Sequence, residues 1–351
     1  MSEMVKTVVR RLQVLLVTML AGAPLMAAET GGSVLWIGTS IPEGCSYTAA
    51  VCRLLQMRCQ NQSVGASSLC AWTDEMGFDS ATSGLSLMMT SQEKEQAFRP
   101  YVERGELTEE RLDFWKSRSY DIRVLPYIKE ADIIVVDHGY NDPVSMEKLY
   151  NGGEEGVDWS SDDRTDFVGA FNCLYRLIRE NNPDALVIIG GYFQNTCTLS
   201  YFKRGIWVSA VLTWMARHYH LPLLDVWNYT DIPDGYMPDS DHYLDELNAK
   251  YGTSFKKYQP DTNGNITYFQ KFCPDAVHPY SDPSGESDRV LDEVFTLLFS
   301  NMVSEGVIRY SEHNGTPSQW YSLGGRAAPQ GRRGVYILRT DSTALKCVRS
   351  H

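Results

Sequence analysis

Short apolar runs recur along the chain, spaced too widely to be joined by tight hairpins. Val34–Ile37, closed by Gly38, is the first, and Asp132–Asp137 (DIIVVD), Ala185–Gly190 (ALVIIG) and Leu221–Val226 follow. The stretches between them carry a helical period. Ala49–Met57, Ser161–Glu180, Ile206–His218 and Ser287–Phe299 each predict a helix, the second with Phe167, Phe171, Leu174, Leu177 and Ile178 on one face. Asn181-Asn182-Pro183 stops that helix. Continuous apolar runs alternating with helices predict a mostly parallel sheet covered on both faces. The fold class is therefore α/β, a three-layer α/β/α arrangement around a flavodoxin-like sheet. In such sheets chemistry gathers just beyond the carboxyl ends of the strands.

Three regions depart from the alternation. Residues 66–120 show only weak periodicity, and 227–274 are rich in Tyr, Asp, Asn and Pro. Long irregular stretches inside a domain are usually functional or lid-like, so 227–274 reads as an insertion in a domain spanning 29–308. Residues 309–351 read as a small C-terminal β segment, with Val335–Arg339 and Ala344–Val348 paired as a hairpin.

The first 28 residues follow different rules. Lys6, Arg10 and Arg11 precede an apolar stretch from Leu12 to Leu25, and Ala27 and Ala28 follow. A basic start, a short apolar middle and a small-residue exit predict a secretory signal peptide, too short for a comfortable membrane span. Export to the periplasm or the outside is the expectation, with no stable membrane insertion after cleavage.

Composition narrows the partners. Of 351 residues, 43% are hydrophobic and 22% charged, ordinary for a globular protein. The formal net charge is −12, and removing the net +2 of residues 1–28 leaves −14. Such a surface repels nucleic acid and anionic lipid. Cysteines stand at 45, 52, 59, 70, 173, 197, 273 and 347, none in a C-x-x-C spacing, so a zinc ribbon or thioredoxin motif is not expected. Sequence alone does not pair them, and composition leaves the oligomeric state open.

Chemistry-bearing residues cluster where the predicted strands end. Gly38-Thr39-Ser40 closes the first strand, placing a hydroxyl and a backbone N–H at the sheet edge. The next segment, Asn61-Gln62-Ser63-Val64-Gly65, ends on a glycine whose N–H a ligand can approach. Gly139-Tyr140-Asn141-Asp142 follows the third run, and Asn141 offers a side-chain amide, although Asn-Asp-Pro could equally form an Asx turn. Asp275-Ala276-Val277-His278 stands before the last helix, where a carboxylate can orient an imidazole. Each block alone is weak.

In this order the four blocks resemble the SGNH/GDSL hydrolase family, over roughly residues 33–304. That resemblance implies Ser40 as nucleophile, His278 as its base and Asp275 as the residue orienting His278. It further implies an oxyanion hole of the Ser40 and Gly65 backbone N–H groups and the Asn141 amide. It implies no metal and no organic cofactor. Thr39 stands where the family often has Asp, a departure that bears on the support of the serine loop. His138 is the rival base, with Asp137 and Asp142 beside it. His218 and His220 read as surface or packing residues, and His242, Asp239 and Asp241 as a solvated loop rather than a zinc site.

The expected substrate is a small-molecule or glycan ester. Trp227, Tyr229, Tyr236 and Tyr243 could stack on sugar faces, although aromatic rings as often simply pack. No long apolar lid suggests a triglyceride lipase. O-deacetylation of a carbohydrate is the leading expectation. The alternatives are a lysophospholipase or thioesterase on longer acyl chains, and a non-catalytic glycan-binding protein.

Overall fold

The computed structural model describes residues 32–193, 199–229 and 277–308, together with short strands at 236–237, 256–257, 319–322, 334–339 and 344–349. The elements of the main body are β1 (Ser33–Gly38), α1 (Ser40–Gly44), α2 (Tyr47–Leu55), β2 (Arg58–Asn61), α3 (Ser91–Glu103), α4 (Glu109–Lys116), β3 (Ile133–Asp137), α5 (Pro143–Gly152), α6 (Phe167–Asn181), β4 (Leu186–Ile189), α7 (Leu199–Tyr219) and α8 (Glu286–Ser304). Four parallel strands lie in the order β2-β1-β3-β4. This is the flavodoxin-like order, and helices flank the sheet in a three-layer α/β/α arrangement.

Burial explains the strand sequences. Every residue of β1 is buried, and so are four of the five in β3. β2 is the edge strand, and its residues Arg58-Cys59-Gln60-Asn61 are polar and largely accessible. Trp36 of β1 points at α2 and α8, where its ring meets Tyr47, Phe295 and Phe299. Tyr47 and Phe295 stack at 3.7 Å and lock those two helices together. β1 to β2 and β3 to β4 run in opposite directions across the sheet, so right-handed crossovers put α6 on the other face from α2. There α6 buries Phe167, Phe171, Leu174 and Ile178 in the same core.

Four expectations are corrected. The stretch 66–120 is irregular only in its first part. Residues 91–116 fold as α3 and α4 around an apolar cluster containing Phe98, Leu112 and Trp115, to which 66–90 adds Ala71, Leu85 and Met89. α6 begins at Phe167 rather than Ser161, because Asp166 caps it by accepting the Gly169 N–H at 2.7 Å. Pro143 starts a helix, α5, that the apolar pattern did not predict, consistent with proline's preference for the first helical position. The run 221–226 gives only one parallel bridge, Leu223 to Ile189, because a short helix begins at Val226.

Outside the main sheet, β5 (Tyr236–Met237) pairs in parallel with β6 (Lys256–Lys257). β7 (Gln319–Ser322), β8 (Gly334–Arg339) and β9 (Ala344–Arg349) form an antiparallel sheet, the expected hairpin plus one strand. Among the described residues, no helix is long and apolar enough to cross a membrane. Residues 1–28 lie outside the described residues.

Candidate active site

Ser40 is the first residue of α1, directly beyond the carboxyl end of β1. A first-turn helix N–H has no acceptor within its own helix, so the Ser40 N–H points out past the sheet edge. Thr39 ahead of it is buried in extended conformation, and its carbonyl accepts the Glu43 N–H at 3.1 Å. The serine turn is thus held by backbone bonding, and the Thr39 side chain makes no capping bond.

The second and third blocks are tied to this turn by hydrogen bonds. Val64 N–H donates to the Gly38 carbonyl at 2.9 Å, and the buried Ser67 hydroxyl donates to Val64 and Gly38 carbonyls. The Asn141 amide donates to the Ser67 carbonyl at 3.1 Å. Asp142 receives the backbone N–H groups of Leu69 and Cys70. Burial raises its carboxyl above the usual range, opposed by those N–H donors. A single network therefore fixes the ends of β1 and β3 and the loop after β2.

His278 arrives from the far end of the chain, just before α8. Its Nε2 lies 2.8 Å from Ser40 Oγ, across 238 residues of sequence. The Tyr280 ring stacks on the imidazole at 4.8 Å and packs over Gly44, where any β-carbon would collide with it. The Ser281 hydroxyl donates to the His278 carbonyl at 2.6 Å. Asp275 lies outside the described residues.

Gly65 also sits beside Ser40. A β-carbon built on it would be 3.7 Å from Ser40 Cβ, but only 2.8 Å from Glu43 Oε2. The Gly65 N–H, expected to face a substrate oxygen, donates to that Glu43 carboxylate at 2.7 Å.

The rival base has a different role. His138 is 3% exposed, burial depresses its imidazole to about 3, and its Nδ1 has no partner among the described residues. It is neutral at ordinary pH. Neither neighbouring carboxylate orients it: Asp142 binds backbone N–H groups, and Asp137 accepts the Tyr47 hydroxyl at 3.0 Å. Burial pushes the Asp137 carboxyl up to about 7. Asp137 and His138 line a cavity of about 10 Å³ together with Thr39 and Ile41, room for about one water.

Of the aromatic residues expected to meet substrate, Trp227 is half-buried, packed against the core and over Gly205. The side chains of Tyr229, Tyr236 and Tyr243 lie outside the described residues. His218 stacks on Trp159 at 4.3 Å, a packing role as expected. His242, Asp239 and Asp241 lie outside the described residues, and among the described ones no three metal-ligating side chains cluster. Cys45, Cys52, Cys59, Cys70 and Cys173 are free thiols, and burial pushes those of Cys45 and Cys70 up.

Glu43 and Tyr280 are site residues that the sequence pattern did not single out. Their spacing from Ser40 and His278, three and two residues, was the available signal.

No family model and no curated protein matches the chain. Solved structures similar to it include one described as a GDSL-like lipase from Parabacteroides merdae, with 10% identity, covering 79% of this chain and 99% of that one, TM-score 0.39. An acylhydrolase from Bacteroides fragilis has 14% identity, with coverage of 80% and 91% and TM-score 0.34. An acetylxylan esterase from Geobacillus stearothermophilus has 13% identity, with coverage of 78% and 96% and TM-score 0.34.

Proposed function

We propose that the chain is an exported serine esterase of the SGNH/GDSL type that removes acetyl groups from a carbohydrate. The observation that carries the hydrolase reading is the 2.8 Å contact between Ser40 Oγ and His278 Nε2 at the carboxyl edge of the sheet. A hydroxyl is a weak nucleophile, and an imidazole within hydrogen-bond reach activates it.

In this reading Ser40 Oγ attacks the ester carbonyl while His278 Nε2 takes its proton. The tetrahedral oxyanion is received by the Ser40 N–H, the Gly65 N–H and the Asn141 amide. As the C–O bond to the alcohol breaks, His278 returns the proton to the leaving oxygen. Water then attacks the acyl-enzyme with the same base and releases the acid. Asp275 is assigned the orientation of His278 by the D-x-x-H motif. These groups complete the chemistry without a cofactor. Acetyl on a glycan is preferred on the sequence reading, whose Tyr- and Trp-bearing insertion suits sugar faces. The predicted signal peptide favours export, and the formal net charge of −14 left after its removal favours a neutral glycan ester over nucleic acid.

The test is hydrolysis of p-nitrophenyl acetate and octanoate by the wild type, Ser40→Ala and His278→Ala. The expected result is a wild type that prefers acetate, with both variants slower by at least about 10³-fold. Equal near-zero rates in all three would support a glycan-binding protein, and a preference for octanoate would point to the longer-chain alternative.

A further inference from the structure

The expected oxyanion site is not empty-handed at rest, because a carboxylate of the protein already occupies one of its donors. Glu43 follows Ser40 by three residues on α1, a spacing that brings two side chains to the same face of a helix. Its Oε2 accepts the Gly65 N–H at 2.7 Å. The position a β-carbon of Gly65 would take lies 2.8 Å from that oxygen and 3.7 Å from Ser40 Cβ. An anionic oxygen on a backbone N–H beside the nucleophile is the chemical likeness of the tetrahedral intermediate.

The loop does not depend on this contact for its place. Arg123 donates to the Gln62 and Ser63 carbonyls at 3.0 and 3.1 Å, Val64 N–H to Gly38, and the Asn61 amide to the Pro42 carbonyl at 2.6 Å. Glu43 itself is exposed, so its side chain can swing into water without a burial cost. If it stayed, a second negative charge would stand beside the developing oxyanion, and like charges at such range repel.

We propose that Glu43 is an internal competitor for the oxyanion site: its carboxylate holds the Gly65 N–H in the resting protein, and the ester carbonyl must displace it before acyl transfer. This rests on the hydrolase reading. Glu43 thereby sets the reactivity threshold of the site, and its removal opens the donor to weaker ligands.

The experiment compares wild type, Glu43→Gln and Glu43→Ala. Two quantities are measured: kcat/KM for p-nitrophenyl acetate, and the rate at which a neutral alkyl fluorophosphonate labels Ser40. In that labelling the Oγ–P bond forms, the P–F bond breaks, fluoride departs and His278 takes the hydroxyl proton. The expected result is an increase on the order of tenfold in both rates for Glu43→Ala, and a smaller increase for Glu43→Gln, which keeps an uncharged acceptor. If Glu43→Ala is slower while Glu43→Gln matches wild type, the contact only supports the loop and the inference is overturned. Unchanged rates in both variants overturn it as well, with the hydrolase reading left standing. A wild type whose Ser40 is not labelled overturns both. Circular dichroism identifies an alanine variant that fails to fold, and the near-isosteric glutamine variant then decides.

Discussion

Asn141 meets two demands with one amide. One N–H is spent on the Ser67 carbonyl at 3.1 Å, and an amide nitrogen carries a second hydrogen. The proposed function assigns that second hydrogen to the oxyanion, so on that reading Asn141→Ala should lower kcat by about 10²–10³ with a much smaller change in KM. Steady-state kinetics on p-nitrophenyl acetate check this, and a loss confined to KM would contradict it. Ser40, Gly65, Asn141 and His278 could all be named as candidates from the sequence because each follows an apolar run or precedes a helix in a fixed order, and the fold brings Ser40, Gly65 and His278 together. The sequence favoured His278 over His138 through the spacing of Asp275 and the family resemblance. The environments of the two rings were not legible: burial encloses a neutral His138, while His278 lies on Ser40 Oγ. Glu43 was equally silent, since a solvent-facing glutamate gains meaning only once α1 winds it over Gly65.

At the scale of elements, the pair α3 and α4 was the part least legible in the chain. Their helices are mostly polar, with only Lys94, Phe98, Leu112 and Trp115 buried, so the apolar period is too thin to detect. The better signal was Thr90-x-x-Glu93, a capping box in which both reciprocal hydrogen bonds form. Lys94 is an unusual core residue: it is fully enclosed, and its Nζ donates to the Trp115 carbonyl at 3.1 Å. Burial lowers its ammonium from 10.5 to about 7. Between those values the unfolded chain binds the proton and the folded one does not. Stability therefore rises with pH across that window, by about 1.4 kcal/mol per unit, and is flat below it. Lys94→Met removes the titration while the Trp115 carbonyl keeps the Arg118 N–H at 3.0 Å. Denaturant unfolding at pH 7 and 9.5 should find the variant more stable at pH 7, with the gap closing at the higher pH. An identical gap at both would show that Lys94 is not the titrating group.

For the molecule as a whole, the alternation of apolar runs and helices was sufficient to anticipate a flavodoxin-like sheet. The order β2-β1-β3-β4 follows from parallel pairing with right-handed crossovers. The polar edge strand β2 was legible only through the motif at its end, because an edge exposed to water carries no apolar run. Sheet and site share one network, so core damage should register at both. Leu174→Ala, at a fully buried position of α6, should cost about 2–5 kcal/mol. Tryptophan fluorescence and esterase activity should then lose their midpoints together in urea. Activity lost well before fluorescence would mean that the site melts on its own.

The 238 residues separating Ser40 from His278 also set a schedule for biosynthesis. A ribosome delivers the hydroxyl early and the imidazole only in the last quarter of the polypeptide. On the proposed reading, a chain whose imidazole has not yet been made is chemically inert, and the site is armed only when the segment before α8 has docked.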